Sequence, residues 1–242
     1  MFDRELLNRL TTKKQTTFRN TLMEYYQNLF LSYFYQIKQS EKFFFKGGTA
    51  LRIAFQSPRF SEDLDFSATG SFAVFENILE KVLINIQKEG IETKIIESKI
   101  TTGGYFSIIS ARIYHETVEI QIQASKRKNN QIKDETTIIV SEFIPTYILQ
   151  ILEKKTLFSE KIEAFLTRRK IRDFFDLYFI LRSNLRLSIL HDKKKEVMQI
   201  IESQKSGFTE LKEFLPKNFW VVIKELKKNL LFELQKRNYW VI

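Results

Sequence analysis

The sequence predicts an α+β protein with two domains. Residues 1–145 are expected to form an α/β domain with a mixed, twisted sheet, and residues 146–242 an all-helical domain. Alternation of apolar and polar residues recurs as far as Val140, whereas the segments after Pro145 carry apolar residues at helical spacing. With 7 Gly and 3 Pro among 242 residues, the chain has few turn formers, which favours long helices and few loops.

The individual elements of the first domain follow from the same patterns. Helical spacing predicts one or two helices over residues 4–38, and an amphipathic helix over 72–89 that is closed by Gly90. A further helix is expected from Thr49, near its N-cap, to Phe55. Strands are predicted at 43–45, around Leu64, and at 91–97, 105–113, 117–123 and 136–140. The polar segment 126–135 is expected to be a loop or an exposed edge.

Composition excludes several classes of protein. Cysteine is absent, so the chain has no disulfide framework and no thiolate zinc site. No apolar run approaches the roughly 18 residues of a membrane span, and the N-terminal segment lacks the apolar core of a signal peptide, so we expect a cytoplasmic protein with no membrane partner. His115 and His191 are far apart and have no ligand spacing, which disfavours a Ser-His-Asp hydrolase.

Positive charge is concentrated in the second half of the chain. Residues 1–145 contain 19 Lys and Arg against 17 Asp and Glu, a net charge of +2. Residues 146–242 contain 20 against 12, a net charge of +8. A positive field attracts phosphates, although a generally lysine-rich composition would give the same net charge without any role in binding. The charge therefore leaves nucleic-acid contact open.

Asp63 and Asp65 form the most informative pair of acids. On a strand, the one-residue spacing places both carboxylates on one face, while Leu64 and Phe66 point to the core. Two adjacent carboxylates repel each other unless a cation lies between them. Mg²⁺, or Mn²⁺, suits this position because it takes hard oxygen ligands and completes its shell with water and phosphates. A solvated surface pair is the alternative.

The segment upstream of these acids suggests a phosphate site. Gly47 and Gly48 lack a Cβ, which allows a phosphate to approach the backbone closely. A helix starting at Thr49 would direct its free N–H groups and the positive end of its dipole towards that phosphate. The alternative is a plain strand–turn–helix in which glycine serves compactness. Together with Asp63 and Asp65, the turn predicts a site for a metal-bound triphosphate.

Polar residues around the turn are further candidates. Lys46, Arg52 and Arg59 flank it and are candidates to neutralise charge that develops on a phosphate, or else they are simply solvated. Ser61 is placed to hydrogen-bond Asp63 or a phosphate.

A third carboxylate is expected on a neighbouring strand. Residues 117–123 alternate strictly, with Val118 and Ile120 on the core face and Glu119 on the opposite face. Two-metal phosphoryl transfer commonly uses such a third acid, so Glu119 is the candidate ligand. A solubilising surface Glu is the alternative.

The helical half contains a stripe of charged residues. Lys161, Phe165, Arg169, Arg172 and Asp176 recur at three- and four-residue steps and share one face if the helix is continuous. Asp173 and Asp176 are then placed to pair with Arg169 and Arg172. Such a stripe either binds a nucleotide or is an ordinary salt-bridged helix face.

The chain resembles the AbiEii/AbiGii toxin nucleotidyltransferases of the DNA polymerase β-like superfamily. Residues 46–66, KGGTALRIAFQSPRFSEDLDF, resemble the family's first motif, and Glu119 falls where a second acidic motif is expected. Lys161, Phe165 and Arg169 match a third motif. The fourth, Arg-x-x-Lys-Asp-x-x-Asp, is matched by Arg169, Arg172, Asp173 and Asp176, with Arg172 in place of the usual Lys.

The resemblance implies transfer of NMP from an NTP to a hydroxyl on RNA, with tRNA favoured, or on a protein. It implies a catalytic role for Lys161 at the nucleotide, with Asp173 and Asp176 orienting it, and a cognate antitoxin as partner. Two alternatives stay open: a non-catalytic RNA- or antitoxin-binding module, and a small-molecule nucleotidyltransferase of the antibiotic-modifying type. The +8 charge of residues 146–242 favours a polyanionic acceptor over the small molecule.

Overall fold

The chain divides into two compact units. The computed structural model describes residues 2–127, 132–183, 185 and 187–236. The first unit contains residues 1–56 and 60–153, and the second contains residues 57–59 and 154–242. No helix in the described ranges is both long enough and apolar enough to cross a bilayer.

The first unit combines four α-helices and a short 3₁₀ helix, Ser40–Lys42, with seven strands among its described residues. Its α-helices are Arg4–Lys13 (α1), Phe18–Phe34 (α2), Gly47–Ile53 (α3) and Phe72–Lys88 (α4). Its strands are Phe43–Lys46 (β1), Leu64–Ala68 (β2), Glu92–Thr101 (β3), Gly104–Ile113 (β4), Glu116–Lys126 (β5), Asp134–Ile139 (β6) and Tyr147–Leu152 (β7). The predicted helix ending at Gly90 is confirmed, since this glycine has a φ of +80° directly after the helix.

The strands form one mixed sheet in the order β3-β4-β5-β2-β1-β7-β6. The pairs β2–β5 and β1–β7 are parallel, and the other four neighbouring pairs are antiparallel. Edge strand β3 contains a register shift between Ile95 and Glu97. Strand β2 lies inside the sheet, so its residues are held by hydrogen bonds on both sides.

Phenylalanine rings fill the core beneath the centre of this sheet. Phe34 of α2, Phe43 of β1, Phe66 of β2 and Phe75 of α4 are all fully buried. The ring centroids of the contacting pairs are 4.8 to 6.3 Å apart. Edge-to-face and tilted contacts at these distances add to the burial energy of each ring. Strands β1 and β2 are thereby fixed to the helices behind them.

Helices are the only regular secondary structure among the described residues of the second unit. Its α-helices are Lys154–Arg168 (α5), Ile171–Arg182 (α6), Ser188–Asp192 (α7), Lys194–Ser203 (α8), Trp220–Lys224 (α9) and Leu226–Lys236 (α10). Phe165 and Phe174 are fully buried, with ring centroids 4.9 Å apart, and they join α5 to α6.

Two of three local predictions differ from the structure. The prediction that every segment after Pro145 is helical is wrong, because residues 147–152 form β7 and pair with β1 and β6. Helix α3 begins at Gly47, so Thr49 lies inside its first turn and not near its N-cap. The prediction of a loop or an exposed edge at 126–135 agrees with the structure, because Asp134 and Glu135 are exposed and begin the edge strand β6. Lys126 ends β5, and residues 128–131 lie outside the described residues.

Candidate active site

Asp63 and Asp65 lie on the same face at the start of β2. Strand β2 begins at Leu64, so Asp65 is inside the strand and Asp63 immediately precedes it. Leu64 and Phe66 are fully buried, whereas both acids are partly exposed. The predicted separation of core and polar faces is therefore confirmed. Asp65 is in register with Lys46 on β1, which brings a cation next to this carboxylate.

Gly47 allows the Asp65 carboxylate to lie against the chain. Its φ is +85°, a conformation that side chains rarely adopt. A Cβ at this position would overlap the carboxylate and would stand 2.9 Å from the Cβ of Asp65. The sequence suggests that the glycine makes room for a phosphate, but the group that lies against it in the structure is the Asp65 carboxylate. The turn thus fixes one of the two acids.

Asp63 is held by a different set of contacts. Residues 60–63 form no regular secondary structure. The buried Thr49 hydroxyl donates a hydrogen bond to the carbonyl of Asp63. The Gln27 amide of α2 donates to the carbonyls of Ser61 and Glu62, at 2.8 and 3.2 Å. Three successive carbonyls are therefore bound by side chains from α2 and α3.

Arg52 is not simply solvated. Its Nε and Nη2 donate to the two carboxylate oxygens of Glu24, at 2.7 and 3.3 Å. Its guanidinium carbon lies 3.9 Å from the centroid of the Phe60 ring. Lys14 also binds Glu24, with Nζ 3.1 Å from Oε2. Arg52 therefore links α2 to the segment that leads into Asp63.

The structure does not place Glu119 beside the two aspartates. The parallel register pairs Leu64 with Ile122 and Asp65 with Gln123 on β5. Glu119 precedes Gln123 by four residues, which is about 13 Å along a strand. Glu119 is exposed. Among the described residues, no group of three or more His, Cys, Asp or Glu side chains is arranged to hold a metal ion.

The pair of aspartates nevertheless fits a magnesium ion. Mg²⁺ is commonly held by one or two protein carboxylates and completes its shell with water and substrate phosphates. Asp63 and Asp65 supply hard oxygen donors from one face, and each is held by its own contacts. Thr49 and Gln27 hold the segment of Asp63, whereas Gly47 and the sheet hold Asp65. The donor set is therefore suitable for Mg²⁺ or Mn²⁺.

The second unit contains a buried ionic cluster centred on Asp176. Arg59 binds its carboxylate through two hydrogen bonds of 2.7 and 3.0 Å, and Lys161 Nζ lies 3.0 Å from Oδ2. The side chains of Asp176, Arg59 and Lys161 are 1%, 3% and 11% exposed. Burial alone would raise the pKa of Asp176, but the two cations outweigh it and hold that pKa well below its usual range. The cluster has a net charge of +1.

The predicted continuous stripe of charged residues is wrong because the helix is interrupted. Helix α5 ends at Arg168 and α6 begins at Ile171, and Arg169 between them has a φ of +52°. The predicted pairing of Asp173 and Asp176 with Arg169 and Arg172 is also wrong. Arg169 is exposed, and the Arg172 guanidinium lies 5.9 Å from the centroid of the Phe214 ring.

Asp173 instead holds the junction between the two helices. Arg168 donates two hydrogen bonds to its carboxylate, at 2.9 and 2.7 Å, and the Lys170 backbone N–H donates a third at 3.1 Å. The third residue of a helix commonly caps the chain in this way. The role of Arg168 was not predicted, because no Gly or Pro in the sequence marks the helix start that brings Arg168 to Asp173.

Two solved structures share the fold of this chain. The structure is similar to MenT4, a nucleotidyltransferase toxin of Mycobacterium tuberculosis, with a TM-score of 0.67 and 15% identity over 97% of this chain and 90% of that one. It is also similar to JHP933 of Helicobacter pylori, with a TM-score of 0.60 and 18% identity over 98% and 93%. At these identities the likeness shows a shared fold.

Family membership follows from the sequence itself. Residues 29–231 match the family described as nucleotidyl transferase AbiEii toxin, of type IV toxin–antitoxin systems. The chain belongs to this family, as the resemblance of residues 46–66 indicated. No curated protein matches the chain by sequence.

Proposed function

We propose that the chain is a metal-dependent nucleotidyltransferase that transfers NMP from an NTP to a hydroxyl acceptor, with pyrophosphate as the leaving group. Asp63 and Asp65 hold Mg²⁺ or Mn²⁺ in this proposal. The observation that carries it is the pair of half-exposed carboxylates on either side of buried Leu64, beside a glycine that has no room for a side chain. When bound, the metal would polarise the phosphate and lower the pKa of the acceptor hydroxyl.

In this reaction the residues of the first unit hold the metal ion and orient the groups around it. Asp63 and Asp65 bind the metal, and Lys46 balances the charge of Asp65. Two carboxylates suffice because phosphate oxygens and water complete the shell. Glu119, which the sequence suggested as a third ligand, is not needed as a ligand. Bulk water then accepts the proton of the attacking hydroxyl.

Lys161 is the proposed cation for the nucleotide phosphates. Asp176 uses both of its oxygens on Arg59 and Lys161, so it fixes the position of the ammonium group. The net charge of +1 on this buried cluster favours an anion. Asp173 acts indirectly, because it holds the start of the helix that carries Asp176. Gly48, Ser61, Arg169 and Arg172 are weaker candidates for nucleotide contact.

RNA, and tRNA in particular, is the acceptor that we propose. The net charge of +8 on residues 146–242 supports a polyanionic acceptor, and family membership supports a toxin whose partner is a cognate antitoxin. Binding that depends on phosphate contacts weakens steeply as salt increases. RNA affinity measured from 50 to 300 mM KCl tests this point, and affinity that does not change with salt would favour a small-molecule acceptor.

Transfer of radiolabel is the central test of the proposed function. Each α-labelled NTP is incubated with the protein and with total RNA or total protein, in the presence of Mg²⁺ or EDTA. We expect label on RNA with Mg²⁺ only. Asp63→Asn should reduce the rate by at least about 100-fold at unchanged melting temperature, and Glu119→Gln should retain most activity. Full activity of Asp63→Asn would refute the proposal, and a Glu119→Gln loss equal to that of Asp63→Asn would restore the three-carboxylate site.

A further inference from the structure

The segment that carries Asp63 is positioned by side chains rather than by the sheet. Asp65 is inside β2 and is paired with β1 and β5. Asp63 precedes the strand, and residues 60–63 belong to no helix or strand. A metal ligand in such a segment keeps its geometry only if other groups bind the adjacent backbone.

Gln27 supplies two of the hydrogen bonds that hold this segment. Its side chain is 1% exposed and lies on α2, a helix that is buried for most of its length. The amide Nε2 donates to the carbonyls of Ser61 and Glu62, the two residues immediately before Asp63. A buried amide on a core helix costs free energy unless its donors are used. An apolar residue would satisfy the packing at this position, so the amide of Gln27 is explained by the two hydrogen bonds that it donates.

We propose that Gln27 is a positioning residue that sets the affinity of the metal site by fixing the backbone before Asp63. The proposal rests on the assignment of Asp63 and Asp65 as metal ligands. Thr49, which binds the next carbonyl, completes the same clamp. Gln27 is remote in sequence from the motif of residues 46–66, and no motif identified in the sequence includes it.

The neighbouring residue on the same helix provides a matched control. Asn28 is also a buried amide, 4% exposed. Its Nδ2 donates to the Glu24 carbonyl at 2.7 Å, and its Oδ1 accepts from the Tyr147 hydroxyl at 2.9 Å. Neither contact reaches residues 60–63. Asn28→Leu therefore removes a buried amide from α2 without releasing the Asp63 segment.

The test measures binding of Mn²⁺ alone, from the electron paramagnetic resonance signal of the free ion, to the full chain. Gln27→Met keeps the volume and removes both donors. Gln27→Asn keeps the amide but shortens its reach by one methylene, and it serves as a second variant if the first does not fold. We expect both to weaken Mn²⁺ binding about 10-fold. Asn28→Leu should bind Mn²⁺ as the wild type does, even if its melting temperature falls.

Kinetics with saturating NTP give a second, independent readout. The Gln27 variants should need more Mg²⁺ for half-maximal rate, with the KM for NTP changed less than twofold at saturating metal. Wild-type Mn²⁺ affinity in folded Gln27→Met or Gln27→Asn would overturn the positioning role. Asp63→Asn separates the two proposals. If this variant binds Mn²⁺ as the wild type does, the assignment of the metal site is wrong. If it loses Mn²⁺ binding while the Gln27 variants keep it, only the role of Gln27 is wrong.

Discussion

Replacing Asp176 by Asn removes the charge on which Arg59 and Lys161 converge, at constant side-chain volume. The cluster loses three hydrogen bonds of 2.7 to 3.0 Å to an ionised acceptor. Arg59 is 3% exposed and stays buried without its counter-ion. Removing one partner of a buried ion pair costs about 3–5 kcal/mol, so we expect the free energy of unfolding to fall by about that amount.

Urea denaturation of the full chain, followed by far-ultraviolet circular dichroism, measures this change. The exposed pair Arg9–Glu5, with side chains 70% and 73% exposed, is the control, and Glu5→Gln should cost less than about 1 kcal/mol. The double variant Arg59→Met, Asp176→Leu removes both charges and should recover part of the loss. An Asp176→Asn cost no larger than that of Glu5→Gln would refute the argument from burial.

The same cluster predicts a dependence on pH with a defined sign. The pKa of Asp176 is lowered in the folded protein, so its ionised form stabilises the fold at every pH above its unfolded pKa of about 3.9. That stabilisation is lost as the pH falls from there towards the lower folded pKa. The difference in unfolding free energy between wild type and Asp176→Asn should therefore be constant from pH 8 to 5 and shrink below about pH 4.

Two further pairs of substitutions test local contacts. Gly47→Ala should destabilise the fold by about 2 kcal/mol and displace the Asp65 carboxylate. Gly90→Ala is the control, because Gly90 has a similar φ of +80° but open space around it, and it should destabilise the fold by about 1 kcal/mol. Thermal melts compare the two variants, and equal losses of stability would exclude the steric contact at Gly47. Arg168→Met should lower the free energy of unfolding by only about 1 kcal/mol, because Arg168 is 47% exposed and its ion pair is screened by solvent. Asp173→Asn should lower it by more, because this change also weakens the helix cap at Lys170. Equal losses in denaturation would show that the Lys170 N–H bond contributes little.

The sequence predicted the local features of the site better than its long-range contacts. Strict alternation around Leu64 and along β5 identified the polar faces, because strand periodicity is a local property. The interruption at Arg169 was not predictable, since no Gly or Pro marks it. The pairing of Arg59 with Asp176 joins residues 117 positions apart. A buried ion pair of that span depends on the tertiary fold, which periodicity does not encode.

Gln27 and β7 are two further features that the sequence alone did not predict. Gln27 lies among apolar residues of α2, and a single sequence does not distinguish an amide with a buried partner from an ordinary helix residue. Residues 147–152 place apolar side chains on both sides of β7, so the alternation that marks half-buried strands is blurred. In both cases the deciding factor is the surface against which the segment packs.

The register shift in β3 has a consequence for how the protein behaves in concentrated solution. Strand β3 is at the edge of the sheet and exposes Ile95, Ile96 and Ile100. A regular, apolar edge offers its unpaired backbone groups to another chain and promotes aggregation. The register shift between Ile95 and Glu97 interrupts the regular pairing of that strand, and the Lys99–Glu97 ion pair places charge beside it. The ten-residue edge strand, which contains three isoleucines, is therefore a poorer template for pairing with another chain than a regular strand would be.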